Sequence, residues 1–252
     1  MSALTILRFG WAGYEVTTEG GTRIVVDPYL HGSEGAHSGL PESPYSVDDF
    51  ADADVVAVTH AGYDHRAQAL DIVQAGNAFL ASGTALYGAA LDSGIAPDRC
   101  AGMVPGVTFR HGDATLKAID AGRHTSNMMW KGQFVSDEPM SFLLTTEAGS
   151  RIFCGGDFAI SGDLKVWREL YSPQVAILGI GGVRNGPVDT TWLPPSEAAV
   201  AAEWLGAPLV IPVHYAPGDP APAEFARAVA ERGSGIEIVQ LEFGQTWTQP
   251  ST

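Results

Sequence analysis

The feature that most restricts the fold of this 252-residue chain is a run of short apolar segments whose order changes character once and then starts again. The chain opens with Thr5–Phe9, Tyr14–Thr18 and Arg23–Val26, rich in β-branched residues, with a turn at Gly20-Gly21 and a close at Asp27-Pro28. Such runs between turn residues predict an antiparallel meander. Strand-like runs then alternate with helix-like stretches: a strand over Val55–Thr59, a helix after Asp64, a strand over Ala78–Ala81, a helix from Thr84 to Leu91, and the strand pair Thr108–Arg110 and Thr115–Ile119. A second half repeats the logic. Phe142–Thr146 and Arg151–Cys154 read as a hairpin, Leu164–Leu170 as a helix, Val175–Ile180 as a buried strand, Ser196–Leu205 as a helix, Leu209–Val213 as a strand, and Ala223–Arg232 as a helix before Glu237–Leu241. Two halves of this kind predict an α/β (α+β) chain of two mixed sheets packed together with helices outside. No linker or low-complexity segment interrupts the pattern, so residues 1–252 are expected to form one domain.

Charge narrows the partners. With 29 acidic against 14 basic residues the formal charge is −15, which opposes docking on nucleic acid or on an anionic membrane. A small diffusible substrate fits better, and a homo-oligomer is compatible with the composition. No apolar run approaches the roughly 20 residues that span a bilayer. The N-terminus lacks a basic segment followed by an apolar one, so a cytoplasmic protein is expected. The only cysteines, Cys100 and Cys154, are too few for a disulfide framework and read as structural.

Chemistry enters at Thr59-His60-Ala61-Gly62-Tyr63-Asp64-His65, where an apolar strand ends and three candidate ligands follow. Imidazole and carboxylate suit Zn²⁺ and its neighbours. By itself the spacing fits equally a helix N-terminus capped by Asp64. The other candidates occupy the same kind of place: His124 follows the strand Thr115–Ile119, Asp157 follows Arg151–Cys154 through Gly155-Gly156, and His214 ends Leu209–Val213. A strand end exposes side chains at a rim, and four such ends deliver six ligands.

On these residues, together with Gly179-Ile180-Gly181-Gly182 and the passage from Pro195-Ser196-Glu197 to Ile211-Pro212-Val213-His214-Tyr215, the chain resembles the metallo-β-lactamase superfamily over nearly its whole length. It is most similar to the ascorbate-phosphate-lactonase-like branch of metal-dependent hydrolases. The resemblance implies a four-layer αβ/βα sandwich with metals in a cleft at one edge. It also implies that His60 and His124 hold one metal, that Asp64, His65 and His214 hold another, and that Asp157 bridges them. A metal-bound hydroxide would then attack a small ester, lactone, amide or phosphoester, with Asp64 taking or orienting a proton. Zn²⁺ is the expected cofactor, one or two per chain, with Mn²⁺ or Fe²⁺ as substitutes.

The family usually reads His-x-His-x-Asp-His, and here Gly62 stands at the middle histidine. The first metal thereby loses a ligand, which leaves open a single-metal enzyme or a substitute from Tyr63, His31, His37 or His111. It also leaves His60, His124 and Asp157 as a two-histidine, one-carboxylate set of the kind that binds Fe²⁺ for oxygen chemistry, as in persulfide dioxygenases of this superfamily. A non-catalytic module that binds a metal or a metabolite is the third reading. Around the site, Thr125–Pro139 is expected to be a loop whose Met128, Met129 and Trp130 line a substrate pocket, and Arg184 of the Gly181–Pro187 loop is a further substrate-binding candidate. Tyr215 is expected to donate a hydrogen bond to a reacting oxygen, and Asp27 to orient a ligand histidine.

Overall fold

The computed structural model describes residues 2–32, 39–120, 126–182, 184–185 and 187–250, without the side chains of residues 184, 185 and 188. The first half supplies β1 (Thr5–Arg8), β2 (Tyr14–Thr17), β3 (Arg23–Val26), β4 (Val55–Val58), helices α1 (Tyr63–Arg66) and α2 (Ala69–Ala75), β5 (Phe79–Ser82), α3 (Thr84–Asp92) and β6 (Cys100–Gly102). The second begins with β7 (Thr108–His111), β8 (Ala114–Asp120), β9 (Ser126–Trp130), β10 (Gln133–Asp137), β11 (Met140–Thr146) and β12 (Arg151–Cys154). It continues through α4 (Asp163–Tyr171), β13 (Val175–Gly179), the short pair β14 (Arg184–Asn185) and β15 (Val188–Asp189), α5 (Pro195–Leu205), β16 (Leu209–Val213), α6 (Ala221–Arg232), β17 (Glu237–Ile238) and β18 (Thr246–Thr248).

Two seven-stranded sheets result, in the orders β18-β1-β2-β3-β4-β5-β6 and β17-β16-β13-β12-β11-β8-β7. In each, antiparallel strands give way to parallel ones, at β3 in the first sheet and at β12 in the second. The switch follows from the connections. Short turns close hairpins, whereas the helical crossovers that follow can only return the chain parallel. Strand β4 is buried at every position because helices cover its outer face and the other sheet its inner one.

Three apolar layers hold the sandwich. Between the sheets lie Ile6, Val16 and Ile24 from one side and Phe142, Ile152, Ile177 and Ile211 from the other. Val56, Val58, Ile72 and Leu86 pack between the first sheet and α2–α3, and Ala176, Leu178, Leu164, Leu205 and Phe225 pack between the second sheet and α4–α6. The architecture is therefore the expected helix–sheet–sheet–helix sandwich. At the end where β2 turns into β3, the Asp113 carboxylate of the facing β7–β8 turn accepts hydrogen bonds from Thr18, Thr22 and the Gly20 amide, which ties the two sheets together.

Some elements were not foreseen. Strand β6 has no β-branched residue, and β18 lies at the tail of the chain, where it pairs with β1. The expected Thr125–Pro139 loop is largely the hairpin β9–β10, closed by Lys131 and Gly132 at φ 49° and 77°. Two positive-φ residues in a two-residue turn are the geometry that matches strand twist, so Lys-Gly was the overlooked signal.

Arg8, 1% exposed at the end of β1, fastens the tail of the chain to the site-bearing end of β16. Its guanidinium donates to the carbonyls of Gly10, Leu241 and Tyr215, and it lies 3.8 Å from the centroid of the Tyr215 ring. Arg8→Leu should therefore lower the free energy of unfolding by about 3 kcal/mol, since the buried Gly10 and Tyr215 carbonyls lose the guanidinium donor and that of Leu241 keeps only the Tyr215 hydroxyl. Urea denaturation against wild type checks this, and a loss below about 1 kcal/mol would refute the role.

Candidate metal centre

Parallel strands all end at one edge, and a ligand placed after each of them meets the others there. Asp27 follows β3, the run from Thr59 to His65 follows β4, Gly155-Gly156-Asp157 follows β12, and His214 follows β16. Asp27 and His214 are non-glycine residues with positive φ, 50° and 65°, so each strand leaves the sheet through a sharp left-handed bend. Strain of that kind persists only where surroundings enforce it, and both bends sit at this rim. Gly156 makes the approach of the two sheets feasible: a Cβ there would lie 2.5 Å from the Thr59 hydroxyl.

Asp64, His65, Asp157 and His214 come together so closely that one donor atom from each lies within 4.8 Å of the other three, and all four residues are buried. The His214 Nε2 atom is 3.2 Å from Asp64 Oδ2 and 3.3 Å from Asp157 Oδ1. The His65 Nε2 atom is 3.4 Å from Asp157 Oδ1 and 3.7 Å from Asp64 Oδ2, yet it forms no well-aligned hydrogen bond. His60 stands beside the group, its Nε2 3.8 Å from Asp157 Oδ2 and its ring 4.1 Å from that of His65.

The other nitrogen of each ring is already committed. His65 Nδ1 is 2.8 Å from Asp27 Oδ2, His214 Nδ1 is 3.0 Å from the Gly181 carbonyl, and His60 Nδ1 is 3.1 Å from the Thr59 hydroxyl. The Thr59 hydroxyl and amide in turn donate to the two oxygens of Asp27. With Nδ1–H spent on an acceptor, each Nε2 lone pair faces the centre, the orientation that metal-ligating histidines need. Asp27 thus holds His65 directly and His60 through Thr59, as expected of it.

Electrostatics agree. Burial opposes a charge on His65 and on His214, but Asp157 and Asp64, joined by Asp27 at His65, outweigh it and raise both pKa values above the ordinary imidazole range. Burial would raise the Asp157 pKa, and the facing His214, His65 and His60 instead hold it well below the usual carboxylate range. His60 goes the other way, down to about 4, through burial and the neighbouring His65 charge. The carboxylates thus favour positive charge at this centre, the sign of charge that a bound cation would supply.

The sequence candidates divide. Asp64, His65, Asp157 and His214 converge, His60 adjoins them, and His124 lies outside the described residues, as do His37 and the side chain of Arg184. With His60 in this position, a Cβ at position 62 would stand 2.6 Å from its Nε2 atom. Tyr63 packs edge-on to Tyr29, His111 packs on Phe79, and His31 is exposed; neither histidine belongs to the converging group. Two expectations need correction. The Tyr215 hydroxyl donates to the Leu241 carbonyl beneath Arg8, which turns it to packing instead of to a reacting oxygen. Met128 is buried in the core over α3, and the Trp130 indole donates to Asp92, so neither forms a free pocket wall; only Met129, with its cross-strand partner Phe134, is exposed.

Sequence reasoning missed Trp11, whose indole N–H lies 3.3 Å from Asp64 Oδ2. Trp11 lies in Gly10-Trp11-Ala12-Gly13, which joins β1 to β2 at the rim where these residues gather.

Comparison with known proteins places these observations in a wider set. Residues 22–215 match the model of the beta-lactamase superfamily domain. The chain is 30% identical over 246 residues to a UPF0173 metal-dependent hydrolase of Rubrobacter xylanophilus, covering 95% of this chain and 94% of that one. It is 31% identical to a UPF0173 metal-dependent hydrolase of Methanopyrus kandleri, over 97% and 99% of the two chains. Among solved structures, a metallo hydrolase of Ignicoccus hospitalis superposes with a TM-score of 0.77 at 23% identity, over 99% of both chains, and shares the fold.

Two outcomes follow from the network. Asp27→Ala frees His65 to rotate and should weaken metal binding roughly 10–100-fold, measured by competition with a chromophoric chelator; unchanged affinity would contradict the Asp27 role. The raised His65 and His214 pKa values mean that their stabilising charge is complete below the ordinary value of 6.5 and is lost as pH climbs through the raised ones. The lowered Asp157 value adds stability that is present above 3.8 and lost on acidification through its depressed value. The melting temperature of metal-free protein should therefore fall as pH rises past neutral, and saturating Zn²⁺ should abolish the fall; a decline unaffected by Zn²⁺ would refute the linkage.

Proposed function

The chain belongs to the UPF0173 family of metal-dependent hydrolases within the β-lactamase superfamily, and on that premise we propose that it hydrolyses a small ester, lactone, amide or phosphoester at one divalent cation held by Asp64, His65, Asp157 and His214. The observation that carries the proposal is the buried His65 Nε2 atom, aimed at two carboxylates and left without a hydrogen-bond partner. A buried nitrogen in that condition costs free energy unless something fills the space before it. Two imidazoles and two carboxylates suit Zn²⁺, with Mn²⁺ and Fe²⁺ as substitutes. When bound, such a cation lowers the pKa of a coordinated water towards neutrality and polarises a carbonyl or phosphoryl oxygen.

The chain's own residues supply the rest. His65 and His214 turn their Nε2 atoms inward, because Asp27 and the Gly181 carbonyl hold their Nδ1 atoms. Asp64, at the rim with its Oδ2 shared between Trp11 and His214, is the group placed to accept a proton from an attacking water. His60, neutral through burial and tethered to Thr59, adds a hydrogen-bonding face beside Asp157. The order of the site residues along the chain supports a place beside the ascorbate-phosphate-lactonase-like hydrolases, with Gly62 as this chain's departure. Iron–oxygen chemistry would rest on His60, which stands beside the converging group, on Asp157, which belongs to it, and on His124, which lies outside the described residues; no observation favours it over hydrolysis. Excess negative charge favours a compact substrate over a polyanion.

Elemental analysis of protein purified without added chelator should find about one divalent metal per chain. His65→Ala and His214→Ala should each remove that metal and lower kcat/KM for a chromogenic ester or phosphodiester at least 100-fold, with the folded state retained by circular dichroism. Full activity in a metal-free His65→Ala protein would sink the proposal.

A further inference from the structure

We propose that Trp11 is a positioning residue of the metal centre, clamping one ligand from each half of the sandwich; the inference rests on the metal-centre reading of Asp64, His65, Asp157 and His214. Trp11 lies in the link between β1 and β2, which is closed by hydrogen bonds from the Phe9 and Gly10 amides to the Gly13 carbonyl. The link can bury itself only because of its glycines. A Cβ at Gly13 would stand 2.2 Å from the Phe9 ring, and one at Gly10 would stand 2.9 Å from the Tyr29 carbonyl. Trp11 is consequently 3% exposed.

Three contacts run from Trp11 to the ligands. The indole N–H meets Asp64 Oδ2 at 3.3 Å. The backbone carbonyl accepts the His214 amide at 2.8 Å, at the residue that leaves β16 with positive φ. The indole ring lies 4.7 Å from the His214 imidazole, centroid to centroid, at 53°. Asp64 comes from the crossover after β4 in the first sheet, and His214 ends β16 in the second. One side chain therefore fixes the rotation of a carboxylate and of an imidazole that arrive from opposite halves.

Packing alone does not account for this arrangement. A buried tryptophan needs some acceptor for its N–H, and a carbonyl serves in most cores. Here the acceptor is a carboxylate of the site, and the donor is neutral and unable to ligate a cation. Indole thus constrains Asp64 without competing for the metal or adding charge to the centre. Ligand-orienting partners of this kind typically contribute 10–100-fold to metal affinity.

The test is titration of metal-free protein with Co²⁺, followed by visible d–d absorption, which reports both affinity and ligand geometry. Trp11→Phe keeps an aromatic face and loses the N–H. Replacement of Trp11 by benzothienylalanine keeps the bicyclic shape and loses only the donor, so it serves where the phenylalanine variant folds poorly. Both should bind Co²⁺ roughly 10–100-fold more weakly than wild type and with altered band intensities, while the benzothienylalanine protein stays folded, metal-free, by circular dichroism. Unchanged affinity and bands, or a lowered melting temperature with affinity intact, would assign Trp11 to packing and overturn the inference alone. Wild type binding Co²⁺ no better than His65→Ala would overturn the metal-centre reading, and this inference with it.

Discussion

Asp27, Asp64 and Asp157 bring three carboxylates into the protein interior within a few ångströms of one another's imidazole partners. Buried anions are tolerated only when paired and hydrogen-bonded, and this balance is what the rest of the rim serves. Asp27 is satisfied by the Thr59 amide and hydroxyl and by His65. Asp64 and Asp157 are left facing the Nε2 atoms of His65 and His214, where either protons or a cation must supply the missing positive charge.

The fold is the means of assembling that balance. Two sheets that each turn from antiparallel to parallel pairing direct their parallel strand ends to one edge, so that groups more than 100 positions apart in the chain, such as Asp64 and His214, meet there. The joints are specific. Gly156 lets the end of β12 come against Thr59, Arg8 fastens the His214–Tyr215 bend to the C-terminal segment, and Trp11 spans from the β1–β2 link to both halves. Asp113 closes the other end of the sandwich and leaves the ligand end as the one shaped for chemistry.

Much of this was legible in the sequence because its signals were local. The β-branched runs before Asp27 and His60 and the apolar Leu209–Val213 announced strands, and the residues that follow them gather at one rim. What escaped depends on partners remote in sequence. Nothing local distinguishes Trp11 from an ordinary buried tryptophan, since its acceptor, Asp64, lies 53 residues on. Tyr215 looked poised for catalysis because it follows a ligand, but its direction is decided by Arg8 and Leu241 from the two far ends of the chain. The apolar run around Met128 looked like a pocket wall, yet the Lys131-Gly132 turn folds it into a hairpin that sets Met128 into the core over α3 and ties Trp130 to Asp92.

One cation is proposed to complete the charge balance at the convergence of Asp64, His65, Asp157 and His214. Anomalous diffraction from crystals grown with Zn²⁺, collected on both sides of the zinc edge, tests it most directly. An anomalous peak is expected in contact with the Nε2 atoms of His65 and His214 and with oxygens of Asp64 and Asp157. A peak only elsewhere, or none at this rim in protein that hydrolyses its substrate, would contradict it.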